Sequence, residues 1–290
     1  MAEATTRKPV RDSKALAESI RASVRRLEEK AADADKAPAP VQEMENGAKV
    51  LHQMGQRRVL LQSDGAVTKE GSSVFLGEFE ALSTAIKAGI PCPEPYGAQV
   101  VDDGRNVIRM SFVPGQKLDE IWPSMSEDEK QSIARQLGDI ITELRALEAP
   151  PNLVGGCGNT AFRHLRRYDH AESQPFKDEA ALNDWLLSEV HGPTPTSILE
   201  ALQSRMRTDH RIVLTHGDLS QHNILVQDGK ITGLIDWEFA GWLPEHWEYV
   251  LFVKHVHQHR DWREYAKTIF AQSYHDELVD YLALSQYLKG

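Results

Sequence analysis

The strongest constraint on this chain is the run from Leu214 to Val226, LTHGDLSQHNILV, and the strand that follows it. Ile224-Leu225-Val226 and the stretch Ile231 to Ile235 flank Asp228-Gly229. An Asp-Gly pair between two apolar, β-branched runs marks a tight hairpin, because both central turn positions need positive φ. Asn223 then begins one strand and Asp236 ends its partner, so both stand at the same open end of the ribbon. Paired strands lie about 5 Å apart, which lets an amide oxygen and a carboxylate converge on one ion. Hard oxygen donors without Cys or His favour magnesium, whose remaining ligands are usually water and phosphate oxygens. Asp218, five residues before Asn223, is placed to accept a proton from a hydroxyl beside that ion. Together the three form the metal-and-base arrangement of kinase-type phosphoryl transfer. Taken singly, Asp218 and Asn223 are equally at home as loop caps, and Asp236 as a surface carboxylate.

Such a site needs a cation for phosphate and an acidic partner for it. Val59 to Gln62 and Ala66 to Lys69, separated by Ser63-Asp64-Gly65, form a second hairpin pattern with Lys69 on the same face as Val67. A helix is expected over Val74 to Lys87, stopped by Gly89 and Pro91. At about 100° per residue, Glu78 falls inside the apolar stripe of Val74, Phe75, Ala81, Leu82 and Ala85. A carboxylate there is costly unless paired, and Lys69 is the natural partner. The alternative is a peripheral Glu and an unrelated Lys.

His216-Gly217-Asp218-Leu219 with Asn223, then Ile235-Asp236-Trp237-Glu238, resembles the aminoglycoside-phosphotransferase and choline-kinase-like superfamily. Ala240 to Val250, and Pro175-Phe176 before Asn183-Asp184-Trp185-Leu186, are similar to its fungal branch. The resemblance spans Arg57 to Leu284. It implies an α+β, protein-kinase-like bilobal fold: a small N-terminal lobe with an antiparallel sheet plus helix, and a larger, mainly helical C-terminal lobe. ATP would lie in the interlobe cleft. Asp218 would be the catalytic base, Asn223 and Asp236 the magnesium ligands, Lys69 the phosphate contact and Glu78 its orienter. The Ser111 carbonyl and Val113 amide would meet adenine at the hinge, and His216 would orient the loop. The chain departs from a Gly-rich phosphate loop at Gln62 to Gly65. Asp64 would repel phosphate there if it faced inward, which leaves ATP versus GTP open.

The domain expectation is a helical, partly flexible extension over 1–50, a nucleotide-binding lobe with hinge over 51–113 and a catalytic and substrate lobe over 114–290. Residues 1–36 carry nine basic and seven acidic side chains, and Leu16, Ile20, Val24 and Leu27 form a thin helical stripe. That stripe suits packing on the body or self-association through the N-terminal helix; a disordered extension fits equally. Further on, Ser126 and Glu129 form a capping-box pattern before a helix expected to bury Ile133, Leu137, Ile140, Ile141, Leu144 and Leu147.

The formal charge of −10 argues against a sequence-independent grip on nucleic acid or anionic lipid. Cys92 and Cys157 read as free thiols, no Cys/His cluster has zinc spacing, and no segment resembles a signal peptide or membrane span. A cytoplasmic protein is expected. After Asp236 there is no Asp-Phe-Gly and too little chain for a peptide-docking lobe, so a small hydroxyl compound is the expected substrate. Trp237, Glu238, Trp242, Glu245, Trp247 and Glu248 place carboxylates beside aromatics, a combination suited to a cationic amine; the alternative is core tryptophans and surface glutamates. Arg163, Arg166 and Arg167 read as phosphate contacts or surface charge. His255, His257 and His259 read as metal ligands or a core-edge helix. A Mg-ATP-dependent small-molecule O-phosphotransferase is the resulting expectation, with a nucleotide- or metabolite-binding pseudokinase as the alternative and nucleotidyl transfer as a third.

Overall fold

The computed structural model describes residues 47–165, 170–255 and 259–288. The helix expected around Leu16 to Leu27 lies outside those residues, as do Arg166, Arg167 and His257.

The small lobe is an antiparallel sheet of β1 (Lys49–Met54), β2 (Arg57–Leu61), β3 (Ala66–Gly71), β4 (Pro95–Val100) and β5 (Asn106–Ser111). Its order is β1-β2-β3-β5-β4. Helix α1 (Gly77–Lys87) lies between β3 and β4 in sequence and buries Glu78, Ala81, Leu82 and Ala85. This is the stripe expected from periodicity, with the carboxylate inside it.

Strand β1 is the element the sequence hides. Its second half is exposed, so no half-buried alternation announces it. Its presence changes the lobe's first hairpin, which joins β1 to β2 through Gly55-Gln56, with Gly55 at φ 57°. The turn from Gln62 to Gly65 is therefore the β2–β3 connection. Asp64 there accepts the Ala66 N–H at 3.1 Å, pairs with Arg109 and does not line the interlobe cleft. The expected conflict between Asp64 and phosphate does not arise.

In the larger lobe, α2 (Glu127–Arg145) starts at a complete capping box: Ser126 accepts the Glu129 N–H, and the Glu129 carboxylate accepts the Ser126 N–H at 2.7 Å. It buries Ile133, Ala134, Leu137, Ile140, Ile141 and Leu144. Next come α3 (Glu179–Ser188), capped by Asp178, and α4 (Thr196–Arg205). Strand β6 (Ile212–Thr215) enters the loop that carries Asp218. The hairpin of β7 (Ile224–Gln227) and β8 (Lys230–Leu234) turns at Asp228, φ 50°, and Gly229, φ 72°, the backbone a two-residue turn of this hand requires. Strand β9 (Gly241–Pro244) pairs with β6, and α5 (Trp247–Lys254) and α6 (His275–Ser285) close the lobe.

Trp122, Trp237, Trp262, Phe162 and Phe252 are fully buried, and Trp122 meets Trp262 edge-on at 5.0 Å. Each buried Phe contributes roughly 1.5–3 kcal/mol over its exposed state. Cys92 and Cys157 are buried free thiols, and burial pushes both up to about 12. The architecture is the expected α+β bilobal one. Among the described residues no helix is long and apolar enough to cross a membrane.

Candidate active site

A cavity of about 590 Å³ lies between the lobes. Leu51, Val59 and Val67 line it from β1, β2 and β3, Leu225 and Ile235 from the β7–β8 hairpin, and Met110 to Val113 from the segment joining the lobes. Val59 stands opposite Lys69, and Val67 opposite Met110, in the sheet register. Lys69 and Val67, two apart on one strand, therefore face the same side. The result is an apolar slot that ends in charged groups. Ser111 is fixed to the start of β4: its N–H donates to the Glu94 carbonyl and its hydroxyl accepts the Glu94 N–H, each at 2.8 Å.

At the charged end, Lys69 Nζ lies 2.6 Å from Glu78 Oε2 and 2.7 Å from Asp236 Oδ1. Arg57 donates to the same Asp236 oxygen at 3.1 Å and to Glu238 Oε1 at 2.8 Å. Arg163 reaches Glu238 Oε2 at 2.8 Å while stacking 4.5 Å from the Phe75 ring. Three cations thus meet three carboxylates in a mostly buried network, the condition under which burial of charge is tolerable. Burial pulls the Lys69 ammonium down, but Asp236 and Glu78 outweigh it and it stays protonated. Burial likewise works to raise Asp236, and Lys69 and Arg57 reverse this, so its carboxyl sits below the ordinary range. Burial holds Glu78 above its ordinary value despite Lys69. Asp236 has φ 65°, a left-handed backbone that Asp tolerates better than most residues. Next to it, the Trp237 N–H donates to Glu78 Oε1 at 3.3 Å.

The loop after β6 is held from below by Glu248 of α5. Its carboxylate accepts the His216 N–H at 2.6 Å and the Gly217 N–H at 3.1 Å. His216 is fully buried, with Nε2 3.1 Å from the Ile235 carbonyl and Nδ1 3.2 Å from the Asp218 N–H. Nε2 therefore donates and Nδ1 accepts, the neutral ring that burial also favours. Asp218 Oδ1 accepts from the Ser220 hydroxyl at 2.5 Å and lies 3.5 Å from His255 Nδ1, while Asn223 Nδ2 donates to Oδ2 at 3.0 Å. Burial raises this carboxyl, but His255 and Ser220 outweigh it and leave it well below the usual range. It is a charged, oriented acceptor.

A magnesium ion fits the donors that remain. The Asn223 amide nitrogen is committed to Asp218, and no described residue hydrogen-bonds its side-chain oxygen. Asp236 commits Oδ1 to Lys69 and Arg57, and no described residue hydrogen-bonds its Oδ2. The Ile235 N–H donates to the Asn223 carbonyl at 2.9 Å, so the two donors flank one backbone pairing. Both are hard oxygens, as magnesium prefers.

The sequence model of the phosphotransferase enzyme family, APH, matches residues 68–284. The chain belongs to that family. An aminoglycoside 3'-phosphotransferase of Enterococcus faecalis is 27% identical over 34% of this chain and 31% of its own length. The RIO-type serine/threonine-protein kinase Rio1 of Haloferax volcanii is 42% identical over 16% of each chain. The matched stretches thus span about a third and a sixth of these curated relatives. Among solved structures, an aminoglycoside-3'-phosphotransferase of type VIII superposes with TM-score 0.54 at 18% identity, over 92% of this chain and 98% of that one. The streptomycin–ATP–APH(2")-IIa complex gives 0.52 at 14%, over 95% and 87%. At these identities the likeness carries the fold.

Within this phosphotransferase-family fold, Lys69, Glu78, Ser111, Val113, Asn223, Asp236 and Glu238 line one cavity. Of the aromatic and acidic residues expected further on as substrate contacts, Glu238 lines this cavity and the other five do not. Trp237, Trp242 and Trp247 are core side chains, and Trp237 Nε1 is spent on the Leu234 carbonyl. Glu238 is neutralised by two arginines, Glu248 holds the loop backbone and Glu245 faces Arg211 at 3.4 Å. Arg163 is buried in the network, not surface charge. His255 and His259 share no helix, since α5 ends at Lys254; His259 meets the Asp119 carbonyl at 2.8 Å. Arg57 escaped sequence reading, because nothing local marks a strand arginine whose partners lie about 180 residues away.

Proposed function

We propose that this family member is a Mg-ATP-dependent O-phosphotransferase acting on a hydroxyl of a small molecule. The observation that carries the reading is the convergence of Lys69, Asn223 and Asp236 on one cleft that is apolar at its other end, with Asp218 hydrogen-bonded to Asn223 beside it. In this reading the slot between Val67 and Leu225 takes the adenine, with the Ser111 carbonyl and Val113 amide as backbone contacts. Lys69, oriented by Glu78, and Arg57 balance phosphate charge. Asn223 and Asp236 hold magnesium, which supplies charge neutralisation on the phosphate oxygens when bound. Asp218 orients the substrate hydroxyl and accepts its proton, a role suited to a carboxylate held ionised. Because all four groups are present and oriented, turnover is favoured over nucleotide binding alone.

The finer reading is a cationic amino substrate. Asp119, in the short helix Leu118–Ile121, lines the same cavity, and its Oδ1 is buried with no hydrogen-bond partner among the described residues. A buried carboxylate oxygen without a donor favours an ammonium that supplies one. The domain reading places a nucleotide lobe over 51–113 and a catalytic and substrate lobe over 114–290, behind an extension over 1–50.

The test is an ADP-release screen over amino alcohols, aminoglycosides and hydroxylated natural products. Hydroxyl-dependent ADP release supports the reading. Release of pyrophosphate indicates nucleotidyl transfer instead, and Mg-ATP binding without turnover on any member of the panel indicates a pseudokinase.

A further inference from the structure

The large lobe holds a second polar cluster that the nucleotide site does not use. Glu179 opens α3, His210 precedes β6 and His246 precedes α5. One donor atom from each lies within 4.8 Å of the others. The three border a separate cavity of about 360 Å³, and none of its lining residues belongs to the interlobe cleft.

The cluster is organised. Glu179 Oε2 accepts the His210 backbone N–H at 2.9 Å, and Glu179 Oε1 lies 2.7 Å from His210 Nδ1. The other ring nitrogen of His210, Nε2, lies 3.2 Å from Glu277 Oε1 on α6. The His246 ring packs 4.4 Å from the His210 ring, and its Nδ1 is buried with no hydrogen-bond partner among the described residues.

We propose that Glu179, His210 and His246 form a binding site for a divalent transition-metal ion, zinc by preference, independent of the nucleotide cleft. Two imidazoles and one carboxylate suit zinc, and a three-ligand set leaves a fourth position, here open to the adjoining cavity. Glu277 completes the pattern: a metal-bound histidine usually donates its other ring N–H to a carboxylate, which fixes its tautomer. With His210 Nδ1 on the metal, Nε2–H points at Glu277. Ligands about 2.0–2.1 Å from a tetrahedral ion stand about 3.3 Å apart. The 2.7 Å contact then opens slightly and the wider pairs close by at most about 1.5 Å. A His210 imidazolium clamped between Glu179 and Glu277 explains two of the carboxylate contacts, but it leaves the His246 nitrogen without a purpose. The spacing hides this site from sequence reading, since the three residues come 31 and 36 positions apart.

The test uses the full chain, stripped with a chelator and titrated with Zn²⁺ against a chromophoric competitor in magnesium-free buffer. The expected result is one ion per chain, lost in His246→Ala, retained in Asp218→Asn, and weakened about 10–100-fold in Glu277→Gln. Co²⁺ in the wild type should give the intense visible bands of a four- or five-coordinate nitrogen/oxygen site, without a thiolate charge-transfer band. Equal zinc affinity in the wild type and His246→Ala overturns the proposal, as does a wild type that cannot compete with the chelator. Should His246→Ala fail to fold, the wild-type cobalt spectrum and Glu277→Gln decide: a weak octahedral spectrum or unchanged zinc affinity overturns it.

Discussion

Lys69 Nζ stands 2.7 Å from Asp236 Oδ1, joining β3 of the small lobe to a residue two positions past the β7–β8 hairpin of the large one. The same ammonium holds Glu78 of α1 at 2.6 Å. One buried cation therefore positions the helix, the strand and the loop on either side of the nucleotide slot. The residues proposed to handle phosphate and magnesium are also a brace between the lobes.

That brace has a stability consequence. Lys69→Met leaves Glu78 facing Asp236 with only Arg57 nearby, and removing one partner from a buried pair typically costs about 3–5 kcal/mol. Urea unfolding should show a loss of about 3 kcal/mol for Lys69→Met, and the double variant Lys69→Met/Glu78→Gln should recover part of it. An unchanged midpoint for Lys69→Met contradicts the network as described.

Glu248 makes stability depend on pH. Burial raises its carboxyl to about 7 although the His216 and Gly217 N–H groups work to lower it. The folded state then binds the proton more tightly than the unfolded chain, where Glu titrates near 4.5. This contribution is complete below about pH 4.5 and is lost as pH rises through about 7. The wild type minus Glu248→Gln difference in unfolding free energy should fall by about 3 kcal/mol across that window and be flat above it. A difference that rises with pH, measured by denaturant titration at several pH values, contradicts the assignment.

Gly217 sits at φ 85°, and a Cβ there would run into the Phe239 carbonyl. Alanine is strained in this conformation and has no space, so the loop must shift and carry Asp218 with it. Gly217→Ala should cost more than about 1 kcal/mol in stability and about 100-fold in kcat, with the ATP KM changing far less. Wild-type kcat in Gly217→Ala would show that the loop geometry does not position the base.

Much of this was legible in the sequence because it is local. Asp228-Gly229 announces a turn whose φ values only such residues adopt readily, and that turn pairs Val226 with Ile231; a one-residue register shift between Leu225 and Val226, which no local pattern marks, then sets Asn223 against Ile235 and brings Asp236 to the same end. Glu78 stood out because a carboxylate inside an apolar stripe demands a partner, and Lys69 supplies it. The Ser126 and Glu129 capping box is likewise a pattern of four residues. What stayed hidden depends on contacts between distant segments. Strand β1 has a solvent-facing half, so its hydrophobic pattern is weak, and missing it misplaced the first hairpin turn. Glu238 and Glu248 read as pocket carboxylates because sequence gives residue type but not direction. Glu238 does line the interlobe cleft but is paired there with two arginines, and Glu248 faces the backbone of the loop that carries Asp218. The Glu179, His210 and His246 cluster has no local spacing at all.

The most direct measurement is the rate of ADP release by the wild type and Asp218→Asn with a hydroxyl compound found active in the screen. The substitution keeps size but puts a donating amide NH2 in place of one accepting carboxylate oxygen and removes the proton acceptor, so the account predicts a fall of about 10²–10⁴-fold in kcat with Mg-ATP affinity little changed. Near-wild-type turnover in Asp218→Asn would contradict the assignment of Asp218 as the base, and with it the central claim about this site.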